Sequence, residues 1–126
     1  MKRLNKIGLL LSLVLMVFLH QSCKNDNPSV IKIFVRSASN ELVVGAKVVI
    51  IGDINSNPAT NAHVDTLITN NSGYAAFNMD DYFTTAGEDN TVGYFDIVAK
   101  TSTKTTQGSV RGRAHTTAVE TVYLPN

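Results

Sequence analysis

The chain has 126 residues, 11 of them basic and 10 acidic, with 44% hydrophobic residues and a single cysteine. A balance this close to neutral excludes electrostatic steering onto nucleic acid, and one thiol excludes a disulfide framework. The length fits one domain with a modest core.

The amino-terminal stretch has three parts. Lys2, Arg3 and Lys6 give a positive start, Ile7 to Leu19 is apolar or small, and Ser22 puts a small residue before Cys23. That order is that of a secretory signal peptide over residues 1–22, and a spanning helix would need about 20 apolar residues. An exported chain meets oxidising surroundings, where a lone cysteine is free, paired between chains or modified. Residues 1–23 resemble a bacterial lipoprotein signal of the type found in the Bacteroidetes. In such signals the cysteine becomes the lipidated first residue of the mature protein. His20 and Gln21 stand where the usual lipobox has Leu and then Ala or Ser. The alternatives are a plain secreted protein with a free thiol, or an uncleaved amphipathic anchor.

Cleavage before Cys23 leaves 104 residues with a formal charge of −2. Residues 23–29 then read as a lipidated cysteine and a short polar tether, and residues 30–126 as the folded domain.

Strands follow in order. Val30 to Arg36 alternates, with Ile31, Ile33 and Val35 on one face. Val43 to Ile51 is a nearly continuous apolar run, which predicts a central strand with little exposure. A loop over residues 52–62 ends it. His63 to Thr69 and Tyr74 to Met79 flank Asn70-Asn71-Ser72-Gly73, which predicts a hairpin. Residues 80–91 read as a polar, acidic loop. Val92 to Ala99, Gly108 to Ala114 and Ala118 to Leu124 complete the set, the last two as a hairpin through Thr116-Thr117 that sets Glu120 opposite Arg113. Short strands broken by turns at this spacing predict an all-β, seven-stranded antiparallel sandwich with no helix beyond the signal.

Val44-Gly45-Ala46-Lys47-Val48, Thr69-Asn70-Asn71-Ser72-Gly73-Tyr74-Ala75-Ala76-Phe77 and Gly93-Tyr94-Phe95-Asp96-Ile97-Val98-Ala99 resemble the carboxypeptidase regulatory-like domains. That resemblance implies a transthyretin-like sandwich that stabilises, spaces or presents other parts. Bacterial Ig-like repeats of adhesins and invasins share the rhythm and build stalks. Neither family brings catalytic residues to these positions.

No G-x-S-x-G elbow, H-E-x-x-H pair or unmodified cysteine nucleophile occurs after the signal, so the chain reads as non-catalytic and without a cofactor. Asp80, Asp81, Glu88 and Asp89 are weak candidates for oxygen ligation of calcium, though the spacing of a calcium hand is missing, and a solvated acidic loop is the plainer reading. His63 and His115 rank below them as a metal pair. Arg111, Arg113 and His115 would line one strand face, free to meet an anionic glycan or to pair with acids. Tyr74, Tyr82, Phe83, Tyr94 and Phe95 would stack on sugar rings or fill the core. Asp65-Thr66-Leu67 resembles an O-glycosylation acceptor of the Bacteroidetes, with Thr66 as the modified residue. The expected partners are a membrane, through the lipid, and envelope proteins or glycans. The function expected is that of a structural or interaction module of the outer-membrane envelope; the alternatives are a glycan- or calcium-binding surface lipoprotein and a fimbrial or adhesin subunit.

Overall fold

The computed structural model describes residues 23–126, so the predicted signal, residues 1–22, lies outside the described residues. The elements are β1 (Val30–Arg36), β2 (Lys47–Gly52), β3 (Val64–Ile68), β4 (Tyr74–Asn78), α1 (Asp80–Ala86), β5 (Val92–Lys100), β6 (Thr105–Arg113) and β7 (Thr117–Tyr123). They form a β-sandwich of a three-stranded sheet, in the order β4-β1-β7, and a four-stranded sheet, in the order β3-β2-β5-β6.

Period-two alternation sets which side chains meet between the sheets. Ile31, Ile33 and Val35 of β1 face Val48 and Ile50 of β2, Phe77 of β4 and Phe95, Ile97 and Ala99 of β5 in one buried cluster. β2 is central in its sheet, but its second face is open: Ile51 and the neighbouring Val64 and Ile68 of β3 are exposed. A continuous apolar run therefore does not mean two covered faces here.

The sheets are mixed rather than antiparallel throughout. β7 runs parallel to β1 over the register Val30↔Thr117 to Arg36↔Tyr123. The predicted β6–β7 hairpin is consequently a crossing between sheets: Arg113 pairs with Val92, and Glu120 lies opposite Ile33. His115 makes the turn with a positive φ of 59°. The predicted β3–β4 hairpin is likewise an arch, because β3 and β4 belong to different sheets.

Thr69 explains the arch. Its buried hydroxyl donates to the Val43 carbonyl at 2.7 Å and accepts the Ala46 N–H at 2.9 Å, which fastens the end of β3 to the entry of β2. Thr69→Val keeps the shape and orphans both backbone groups, so it should destabilise the fold by about 1–3 kcal/mol, whereas Thr69→Ser should cost little. Urea unfolding of the two variants checks this.

Two of the four edge strands, one in each sheet, carry the same device. Asp65 on β3 accepts the Thr66 N–H at 2.7 Å, and Glu120 on β7 accepts the Thr121 N–H at 2.9 Å. Each carboxylate belongs to a residue in the inward register and occupies a donor that would otherwise be free to pair with another strand, a known protection of sheet edges. The grouping of strands also differs from the immunoglobulin constant arrangement, in which the first, second, fifth and fourth strands share one sheet.

Candidate functional site

One end of the sandwich gathers the tether. The first residue of β1 is opposite the last of β4 and the first of β7, so α1, the β6–β7 turn and residues 23–29 meet there. Ser29 is the joint. Its N–H donates to Asp80 Oδ1 at 2.7 Å, its carbonyl accepts the Met79 N–H at 2.8 Å, and its hydroxyl accepts the His115 N–H at 2.8 Å. The Asn27 carbonyl adds a bond to His115 Nδ1 at 2.9 Å. The predicted six-residue tether is therefore fixed from Asn27 onward, and the link to Cys23 spans at most about 14 Å.

α1 corrects the predicted loop over residues 80–91. Asp80 and Asp81 in its first turn suit the positive helix end, the Asn78 side chain accepts the Asp80 N–H at 2.9 Å, and Phe83 is buried. Seven residues are too few for a helical periodicity to stand out from the flanking strands. The tethered end also holds the 53–62 loop, which is folded down rather than free: buried Thr60 accepts the Tyr94 N–H at 2.8 Å, and the Asn61 N–H donates to the Tyr82 hydroxyl at 3.1 Å.

The structure brings the acidic candidates together only in part. Asp80, committed to Ser29, and Glu88 line one depression beside Lys24 and Asp26, whereas Asp81 lines another with His63 and Tyr82. Among the described residues no group of three or more His, Cys, Asp or Glu side chains is placed to hold a metal ion. The two histidines serve separate contacts. His63 packs edge-on against Tyr82 and Phe95, with centroids 5.1 and 6.1 Å away and Nε2 buried without a partner, whereas His115 holds the tether. Burial pushes the Tyr82 phenol up from its ordinary pKa, and the bond from Asn61 opposes that rise.

The aromatic residues form no common platform. Phe83 and Phe95 are core, Tyr82 packs between them, and Tyr74 lies on the outer face of the other sheet under Lys32, whose Nζ sits 3.9 Å from the ring centroid. Arg111 and Arg113 are exposed on β6, and Arg111 shares a depression with Asp53, Asp96 and Glu120, while His115 lies beyond the strand. Thr66 is exposed at the middle of β3.

Charge is segregated along the strands. Asp26, Asp53, Asp80, Asp81, Glu88 and Asp89 outnumber Lys24, Arg111 and Arg113 at the tethered end. The opposite end carries Arg36, Lys47, Lys100 and Lys104 against Glu41 alone. Strand positions and register, which composition hides, produce this polarity.

No known family profile and no curated protein matches the chain. Four chains of solved structures match it. Among them is the Bacillus anthracis TIE protein, 12% identical, with a TM-score of 0.52 over 79% of this chain and 17% of that one. The likeness is one of β-sandwich fold, and the chain spans well under two thirds of that protein's length.

Proposed function

We propose that the protein is a non-catalytic, lipid-anchored domain of the bacterial cell envelope, attached through acyl chains on Cys23 to the outer membrane and serving as a structural or interaction module. The lock on Ser29 carries this reading. A chain bound by two segments of the sandwich, at Met79-Asp80 and at His115, within a few residues of Cys23 holds the domain close to the bilayer and in a defined attitude. Cys23 is exposed and unpaired among the described residues, as an acyl acceptor must be.

Two further features support the reading. The strand grouping departs from the immunoglobulin constant arrangement, which favours the carboxypeptidase regulatory-like, transthyretin-like assignment over the adhesin repeat. The acid caps on β3 and β7, one edge of each sheet, weigh against strand addition at those edges, so a single module fits better than a fimbrial subunit. The loops over residues 52–62 and 80–91, the natural place for a glycan or calcium ligand, sit beside the tether, so in this reading they face the membrane. Thr66, exposed on β3, is available to carry an O-glycan.

Cys23→Ser tests the anchor. The variant should leave the membrane fraction or keep its signal uncleaved; retention in the membrane after clean cleavage would overturn the reading. Digestion of the domain by protease on intact cells then distinguishes a surface-exposed from a periplasmic orientation.

A further inference from the structure

At the end remote from Cys23, Lys47 of β2 and Lys100 of β5 lie directly opposite each other. Both side chains are exposed on the outer face of the four-stranded sheet. Directly opposed residues in an antiparallel pair bring their Cβ atoms to about 4.5–5.5 Å, where like charges oppose pairing. The same face offers no compensation nearby. Lys47 has Ile68 on its other side and Lys100 has Thr105. The adjoining row is Thr66, Val49, Val98 and Gln107. The first carboxylate on the face is Asp96, four residues along β5 and so about 13 Å away. Lys104, on the β5–β6 turn, adds a third positive charge at this end.

Elsewhere the fold places acids where they are used: Asp65 and Glu120 cap edges, and Asp80 holds the tether. An uncompensated cross-strand lysine pair breaks that pattern, and local conflicts of this kind are expected at functional or strained sites. The surroundings indicate the kind of ligand. Ile68 is 54% exposed and, with half-buried Val49 and Val98, gives the pair an apolar flank. No aromatic side chain occupies these rows to stack a sugar ring.

We propose that the Lys47–Lys100 pair and its apolar flank form a docking face for an acidic protein segment that interleaves carboxylates with aliphatic side chains. The carboxylates bridge the two ammonium groups, and the aliphatic groups cover Ile68 and Val98. That the face points away from the bilayer rests on the lipid-anchor reading above; binding itself does not.

The test uses the full chain purified in detergent, with amide shifts and affinity followed by NMR. A soluble peptide of Glu-Glu-Leu repeats should shift the amides of Lys47, Lys100 and Ile68. Lys47→Gln/Lys100→Gln should bind roughly tenfold more weakly while melting at or slightly above the wild-type temperature, because the like-charge opposition is removed, whereas Arg113→Gln, at the other end, should bind normally. Absence of binding, or equal binding by the double variant, overturns the proposal. Polyglutamate binding as tightly as the peptide overturns the apolar part, and preference for a polyuronate over the peptide assigns the face to a polysaccharide instead. The same titration on Cys23→Ser, which has no thiol to acylate, separates the two readings: binding by that variant is expected to persist even where the wild-type chain proves not to be acylated.

Discussion

Gly73→Val should lower stability by about 2–5 kcal/mol, because two independent costs add. The residue sits at φ +76°, where a side chain costs roughly 1–2 kcal/mol. A Cβ there would also meet Leu42 Cβ at 2.8 Å, and overpacking of this kind costs about 1–3 kcal/mol. Leu42 is in turn held by its bridge to Arg36, so it has little room to yield. The Gly73 carbonyl accepts the Val35 N–H at 3.0 Å, and its own N–H donates to Asn70 at 2.9 Å, so a shift of this turn disturbs both β1 and the arch. For a domain of this size the loss corresponds to a melting temperature lower by roughly 10–25 °C. Gly45 provides the control. It too has a positive φ, of 77°, but a Cβ there meets nothing within 4 Å. Gly45→Ala should therefore show the conformational cost alone, and Gly73→Ala more; combining Gly73→Val with Leu42→Gly, which removes the clashing Cβ, should recover part of the difference. Melting of Gly73→Val at the wild-type temperature would mean the arch has another geometry.

Phe95→Ala should be the more damaging change, at about 3–5 kcal/mol, a large share of the roughly 5–15 kcal/mol that holds a typical domain together. The ring is 1% exposed and rests over Gly93 of its own strand and Gly112 of the paired strand. A Cβ at Gly93 would meet the ring at 2.8 Å, so the glycines make room for it and have no side chains to refill the space. The ring also supports Tyr82, 5.3 Å away between centroids, and through it α1. Its removal should loosen the helix beside the tether before the sheets separate. Hydrogen exchange should then show faster opening at Phe83, whose N–H donates to Met79 at 3.0 Å, than at β2. Phe34→Ala, on the half-covered outer face, should cost clearly less. Equal losses for Phe34 and Phe95 would contradict the division between core and surface.

The alternation of Ile31, Ile33 and Val35, the turn at Gly73 and the seven strands are all legible in the sequence, because each is a local pattern. Which strands pair is not local. Ala118 to Leu124 reads the same whether it runs parallel to β1 or antiparallel to β6, and only the core geometry selects the first. Turn residues at Asn70 to Gly73 specify a change of direction, but a hairpin and an arch both need one; the hydroxyl of Thr69 decides between them.

The candidate sites follow the same rule. Cys23 stands out from its flanking residues alone. Ser29 reads as one more polar tether residue, since its partners, Asp80 and His115, are 51 and 86 positions away. The opposed lysines are 53 positions apart in the chain and become neighbours only through the β2–β5 register. The acidic cluster shows the converse: close in sequence at residues 80–89, it is divided by the turn of α1, with Asp81 in one depression and Asp80, bonded to the tether, beside Glu88 in another.

The resulting arrangement is directional. A locked tether and an acidic end sit on the membrane side of the proposed anchor, and a basic, partly apolar face stands at the other end of strands about 20–30 Å long. Mass spectrometry of the protein extracted from membranes tests the anchor, on which that direction depends, most directly. The mature chain should begin at Cys23 and carry acyl chains there. A chain that begins elsewhere, or a Cys23 that reacts as a free thiol, would contradict the anchor.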